Sequence, residues 1–259
     1  MKCRICSSNI KEIFSAELMG KYPVDYSYCD NCHFLQLNDL SYLSEAYKNP
    51  INQTDVGLLA RNYRFVEQLA VFFYFAGIVN GHFLDYGGGY GVFSRLMRDI
   101  GFDFYSYDPY TENIFAKQFS SGLEGNFSAI TALEVFEHLP EPLTIISDLI
   151  EHTDLIAIGT NLLESCCDND YKNWQYLGLE HGQHISFFST KTMHFIAKKF
   201  NLNFYSDGKY LTLFSKKSIS SSAVTKISLR HRFSIFFLEY VRFKMKSKIL
   251  SDYELLKCK

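Results

Sequence analysis

The chain has 259 residues, 47% of them hydrophobic with 24 Phe and 18 Tyr, which is ample for one large core and excludes a disordered or low-complexity protein. No apolar run approaches the ~20 residues of a membrane span. The net charge of −2 conceals an asymmetry, because residues 216–259 carry 11 Lys+Arg against three Asp+Glu and residues 1–215 carry 15 against 25. An acidic body with a basic tail argues against a nucleic-acid enzyme, which needs a basic face near its site.

The first 35 residues carry Cys3-x2-Cys6 and, 22 residues later, Cys29-x2-Cys32. Each pair puts two sulfurs on one tight turn, so the four thiolates match a closed structural zinc site with no open position for water. Ile13, Phe14, Tyr22, Val24, Tyr26 and Tyr28 suit a small β hairpin clamped by the metal, and a module with so little core folds only with its ion. Seven cysteines, with Met1-Lys2-Cys3-Arg4 showing no apolar leader, lead us to expect thiolate or metal chemistry and a cytoplasmic location. Residues 36–53 read as a connector, with Tyr42, Tyr47 and Asn52 as lid residues.

The spacing of Leu58/Leu59, Tyr63, Phe65/Val66, Leu69/Ala70 and Phe73 predicts a helix over about 54–78, started by Thr54-Asp55. A strand, Phe83-Leu84-Asp85-Tyr86, then enters Gly87-Gly88-Gly89-Tyr90-Gly91 and a helix to about Ile100. Glycines belong where the backbone takes positive φ and where a ligand must approach the main chain, and the helix N-terminus behind them offers N–H groups to an anion. A second strand over 102–107 ends at Asp108-Pro109, where an acid can accept both hydroxyls of a ribose.

A helix over 112–119, a poorly defined third strand near 122–125, a strand over 128–133, a helix over 141–152 and a strand over 155–160 follow. This alternation predicts an α/β fold with a parallel sheet. The glycine loop, Asp108, Glu134 and Asn161 all fall at the carboxyl edge, where ligands of such sheets lie. A cap at Ser189-Thr190 opens a helix over 189–200, and Asp207-Gly208 turns between two last antiparallel strands. Ser218–Ser222 read as a linker to a basic, aromatic-rich helix over 227–246. That helix can lie on an anionic membrane, pack on the acidic body or pair subunits.

An acid followed by Gly-x-Gly-x-Gly, an acid ending strand 2, and Glu134-Val135-Phe136-Glu137-His138-Leu139-Pro140 after strand 4 resemble the motifs of class I S-adenosylmethionine-dependent methyltransferases. The resemblance covers about 54–215. It implies a Rossmann-like sheet of seven strands, mostly parallel with an antiparallel last strand, preceded by the small zinc ribbon. It also implies that the cofactor S-adenosylmethionine lies on Asp85, Tyr86, Gly87, Gly88, Gly89, Asp108, Pro109 and Glu134. The adenine acid expected after strand 3 is not identifiable.

The zinc motif, continuing His33-Phe34-Leu35-Gln36-Leu37, is similar to the module that precedes the methyltransferase domain in sugar C-methyltransferases. Those enzymes carry a Glu-His-x-Ser-Tyr-Phe-Ser stretch with the catalytic His. Here it reads Gln183-His184-Ile185-Ser186-Phe187-Phe188-Ser189, so the resemblance implies His184 as base, with His181 as the other candidate and Gln183 in place of the acid. Trp174, with Tyr171 and Tyr176, makes an aromatic wall for a sugar ring or a base, or Trp174 serves in packing.

The organisation expected is therefore a zinc module over 1–50, a methyltransferase domain over 51–217, and a linker with basic helix over 218–259. The function expected is methyl transfer to a small molecule, a sugar or nucleotide-sugar of surface polysaccharide synthesis. An RNA base methyltransferase with a zinc ribbon and a non-catalytic zinc-stabilised binding protein are the alternatives.

Overall fold

The computed structural model describes residues 1–48, 55–228 and 231–257. In chain order the elements are β1 (Lys11–Leu18), β2 (Tyr22–Tyr28), β3 (Leu35–Leu37), α1 (Leu43–Ala46), α2 (Leu58–Phe75), β4 (His82–Tyr86), α3 (Val92–Ile100), β5 (Asp103–Tyr107) and β6 (Ala129–Leu133). They continue with α4 (Pro142–His152), β7 (Leu155–Gly159), β8 (Ser186–Phe187), α5 (Thr190–Lys199), β9 (Asn203–Ser206), β10 (Leu211–Ser215), α6 (Ser221–Val224), α7 (His231–Lys244) and α8 (Ile249–Lys257).

One sheet has the order β5-β4-β6-β7-β10-β9, with β4 parallel to both β5 and β6. Neighbours β9 and β10 are joined by a turn of four residues, which only an antiparallel pair permits. The α/β sheet is thus as expected in kind, but it has six strands among the described residues and not seven. The expected third strand shrinks to a single bridge between Ser106 and Ser120, because Ser121-Gly122-Leu123-Glu124-Gly125 offers neither β-branched residues nor alternation. Glu124 is exposed there.

The helix expected over 112–119 is also absent; only a turn at 115–118 forms. Asn113 accepts the Ala116 N–H at 2.9 Å and donates to the Ala116 carbonyl at 2.7 Å, taking both groups from a helical ladder. Helix α2 begins at Leu58 behind Gly57, and Asp55 ion-pairs with Arg61 at 2.5 Å. Thr54 and Asn52 lie outside the described residues.

The chain divides into two compact units. The first comprises Met1–Asn52, Glu134–Asp148 and Ile158–Phe214. Its four-stranded sheet, β1-β2-β3-β8, pairs Leu35 with Phe187 and Gln36 with Ser186 in antiparallel register. The strand just after His184 therefore completes the sheet of the cysteine module. Its core gathers Leu18, Val24, Tyr26, Leu35, Leu37, Leu163, Leu177, Ile185 and Phe187, with Tyr171 and Trp174 packed against it.

The second unit comprises Gln53–Leu133, Leu149–Ala157 and Ser215–Lys259. Phe73 of α2 packs on Phe83, Phe102 and Phe104, so α2 covers the face of β4 and β5. Arg98 on α3, 3% exposed, donates to both oxygens of Asp252 on α8 at 2.8 and 2.7 Å and to the Phe104 carbonyl. A charge pair this buried is tolerable only because nearly every donor finds an acceptor, and it fixes which side of α8 faces inward.

Candidate functional site

In the second unit, β4 delivers Asp85 to the base of the glycine loop. Its carboxyl is 2% exposed, and Oδ1 accepts from Thr131 Oγ1 at 2.7 Å. Burial pushes the Asp85 pKa up to about 7, against the Thr131 hydrogen bond and with help from the charge of Asp108. Thr131 was not foreseen; its place on β6, opposite Asp85 on β4, is a register fact that sequence does not display.

Gly87, Gly89 and Gly91 take φ of 70, 53 and 77°, the left-handed region that side chains resist. Gly88 has ordinary φ, but a Cβ there would collide with Ser106 and Asp85. Asp108 Oδ2 accepts the Gly89 N–H at 2.9 Å, and Oδ1 accepts those of Tyr110 and Thr111 at 2.8 and 2.9 Å. These bonds lock the carboxylate to the loop; Oδ1 is fully used, and Oδ2 retains a further lone pair. Tyr86 packs at a tilt against Tyr107 with centroids 5.5 Å apart, and Pro109 is exposed.

A buried carboxyl, a glycine turn whose backbone can be approached, and a loop-locked acid at a strand end suit a cationic amino acid joined to a ribose. The residues therefore fit S-adenosylmethionine. A separate cavity of about 670 Å³, lined by Ile78, Asn80, Ser128, Thr153 and Lys216 among others, opens at the amino ends of the strands, away from the loop.

In the first unit, Glu134 takes φ of 56°, a strained value for a non-glycine residue, and accepts from the Tyr210 hydroxyl at 2.7 Å. Glu137, 0% exposed, accepts from the Tyr176 hydroxyl at 2.6 Å, and Thr160 and the Asn161 N–H meet the same oxygen. Burial and the charges of Glu134 and Glu137 raise the Tyr176 pKa well above the usual phenol value, so it remains a donor. Tyr176 is thus a hydrogen-bonding hub, whereas the sequence suggested only an aromatic wall.

The rings of His138, His181 and Tyr176 lie 4.8, 4.8 and 4.6 Å from that of His184. His184 Nδ1 is 2.6 Å from the Tyr176 carbonyl and His138 Nδ1 is 3.1 Å from the Gln183 carbonyl. A carbonyl only accepts, so both rings carry hydrogen on Nδ1 and the lone pair on Nε2. Burial pushes the His138 pKa down to about 4, keeping that ring neutral. His181 differs: its Nδ1 accepts the Gln183 N–H at 3.0 Å. Glu137, His138 and His184 each offer an electron-pair donor, all within 4.8 Å of one another, a set chemically able to hold a cation.

Gln183 accounts for its own departure from the acid of the resembling family. Its side-chain amide, 4% exposed, donates to the Ala46 carbonyl at 2.9 Å, a bond no carboxylate can make. Gln183→Glu should lower the unfolding free energy by about 1–3 kcal/mol. A thermal melt that does not fall would overturn this reading.

The four cysteines of the N-terminal motif also converge. Cys3 Sγ lies 3.5 Å from Cys32 Sγ and Cys6 Sγ 3.4 Å from Cys29 Sγ, with all four sulfurs within 4.8 Å of one another. Tetrahedral zinc with Zn–S near 2.3 Å needs sulfurs about 3.8 Å apart, so the set fits that ion.

The two halves repeat one backbone pattern. Ser7 N donates to Cys3 O and Cys3 N to Ser8 O, each at 2.9 Å; His33 N donates to Cys29 O at 2.8 Å and Cys29 N to Phe34 O at 2.9 Å. Ser7 and His33 both take φ of 59°. Arg4, inside the first knuckle, donates from Nη2 to the Ile185 carbonyl at 2.6 Å.

A glycine turn with a locked acid and a parallel sheet define a class I S-adenosylmethionine-dependent methyltransferase. Residues 59–206 match a family model described as a methyltransferase domain; this is more than half of the chain, and the chain belongs to that family. An O-methyltransferase family protein from Burkholderia thailandensis is similar in structure, at 13% identity over 68% of this chain and 63% of that one with a TM-score of 0.50, which shows the shared fold. Magnesium protoporphyrin IX methyltransferase from Synechocystis with bound SAH is 13% identical over 69% of this chain and 93% of that one, with a TM-score of 0.47. No curated protein matches the sequence.

Proposed function

We propose that the acceptor is a sugar or nucleotide-sugar of surface polysaccharide synthesis, methylated in the cytoplasm on a hydroxyl or an acidic carbon, with His184 as base. One observation carries the assignment of the base: the Tyr176 carbonyl holds the Nδ1 hydrogen of His184, which puts that ring's lone pair on Nε2, the nitrogen that would take the acceptor's proton. His181 spends its Nδ1 lone pair on the Gln183 N–H and ranks second.

When bound, the cofactor supplies an electrophilic methyl on a sulfonium, so this chain's residues have only to place a nucleophile and take its proton. The main chain of 87–89, Asp85, Asp108 and Glu134 would hold the cofactor, with Tyr86 and Pro109 flanking the loop. As His184 becomes imidazolium, the Glu137 carboxylate supplies the negative charge that Gln183 cannot. Zinc in Cys3, Cys6, Cys29 and Cys32 is structural, since four thiolates complete its shell.

Incubation with a panel of nucleotide-sugars should add the mass of one methyl to one of them. Methylation of RNA alone would overturn the acceptor class. A second reading has Glu137, His138 and His184 binding a divalent ion that polarises the acceptor oxygen, favoured by their mutual distances. Turnover that persists with only one tightly bound ion per chain would exclude it.

Asp85→Asn separates cofactor binding from folding. The folded pKa of about 7 lies above the unfolded ~3.9, so this group's stability contribution is complete below pH ~4 and lost as pH rises through 7. At pH 8 the variant should melt higher than the wild type. Its cofactor affinity should fall by about 10–100-fold with the loss of a charged partner. Unchanged affinity by titration calorimetry would remove Asp85 from the binding set.

A further inference from the structure

The C-terminal helices show a feature that methyl transfer does not use. On α7, Phe233, Phe236, Tyr240 and Phe243 are 60, 70, 44 and 82% exposed. Their spacing of three, four and three residues sets them on one stripe of the helix. Leu238, Val241 and Ser234, on the other side, are buried. On α8, Ile249, Leu250, Tyr253 and Leu256 are exposed, while Asp252 points inward to Arg98 and Arg95. Both helices are thus anchored by one side and leave apolar side chains outward. Water-exposed apolar groups in this density mark a surface that something covers.

The charges around them select the occupant. Among the described side chains of residues 226–257 there are six Lys+Arg and three acids. One acid, Asp252, is withdrawn into the buried arginine pair, and another, Glu239, is ion-paired with Arg242 at 2.8 Å. Lys244 lies over the rings of Tyr240 and Phe243, Lys257 over Tyr253, and Lys226 over Phe237. These three ammoniums therefore lie against the aromatic groups of the same surface. A second copy of the same face would set these cations against one another. Nucleic acid would satisfy the charge, but Ile249, Leu250, Leu255 and Leu256 have no flat face on which a base stacks. Phenyl, phenol and aliphatic groups with lysine at their edges are what the headgroup–acyl boundary of an anionic bilayer accepts.

We propose that α7 and α8 form a peripheral docking surface for an anionic lipid bilayer, entered by Phe236, Phe243 and Leu250 and held by Lys244, Lys246 and Lys257. No helix among the described residues is long and apolar enough to cross a membrane, so the contact lies in the interface.

Flotation of the full chain with vesicles tests this. Wild type should float with phosphatidylcholine vesicles containing phosphatidylglycerol and not with phosphatidylcholine alone, and high salt should release it. Phe236→Ser/Phe243→Ser and, separately, Lys244→Glu/Lys246→Glu should lower the bound fraction about tenfold or more. All these side chains are exposed or outside the core, so melting temperature and S-adenosylmethionine binding should remain those of the wild type. Flotation that ignores lipid charge, or that the variants leave unchanged, would overturn the proposal. So would a dimer, or RNA co-elution, that the same substitutions abolish while vesicle binding is absent.

Discussion

His184→Ala should lower turnover by about 10²–10⁴-fold while leaving S-adenosylmethionine affinity within error of the wild type. The two readouts separate because His184 and the glycine loop belong to different compact units of the chain. The imidazole is set by hydrogen bonds and ring contacts within its own unit: the Tyr176 carbonyl on Nδ1, the Tyr176 ring, and the flanking His138 and His181. Deleting it removes a proton acceptor without opening the core, since Ile185 and Phe187 bury the adjacent chain. His181→Ala should cost less, because that ring already accepts a main-chain N–H. Full turnover by the His184 variant in a single-turnover assay would end its assignment as base.

Removing the metal should have the other large effect. Structural zinc contributes about 10–16 kcal/mol of apparent binding free energy at neutral pH, more than most domains have in reserve. Chelation, or Cys32→Ser, should therefore unfold β1, β2 and β3. The damage should not stop there, because β3 pairs with β8 and Arg4 holds the Ile185 carbonyl. Circular dichroism should show loss of strand signal, and turnover should fall with it. Elemental analysis that finds no metal in the purified chain, with melting unaffected by chelator, would refute the site.

Much of this was legible in the sequence because local chemistry decides it. The cysteine spacing, the glycine turn and Asp108-Pro109 are short-range signals, and α5 starts on Ser189 with its reciprocal bond to Thr192, as its cap residues suggest. The losses were also physical. Asn113 claims the main chain of 113–116, and no apolar alternation supports a strand at 122–125. Tyr176, Glu137, Thr131 and Gln183 work through partners 39, 39, 46 and 137 residues away. Such pairs exist only once the chain has folded, and no periodicity announces them. Ser7 and His33 could have been suspected, since each follows a cysteine pair and must turn left-handed, but neither residue type demands it.

The pairing of β3 with β8 bears on how such an enzyme can be rebuilt. The cysteine module is stitched by a strand to the histidine stretch, so neither can be exchanged alone between two proteins without leaving an unpaired edge in both. On the function proposed, choice of acceptor would be transferred only as a discontinuous cassette, residues 1–52 together with 134–148 and 158–214. A chimera cut at those five seams should carry its donor's acceptor preference, and one cut after residue 50 should carry neither parent's.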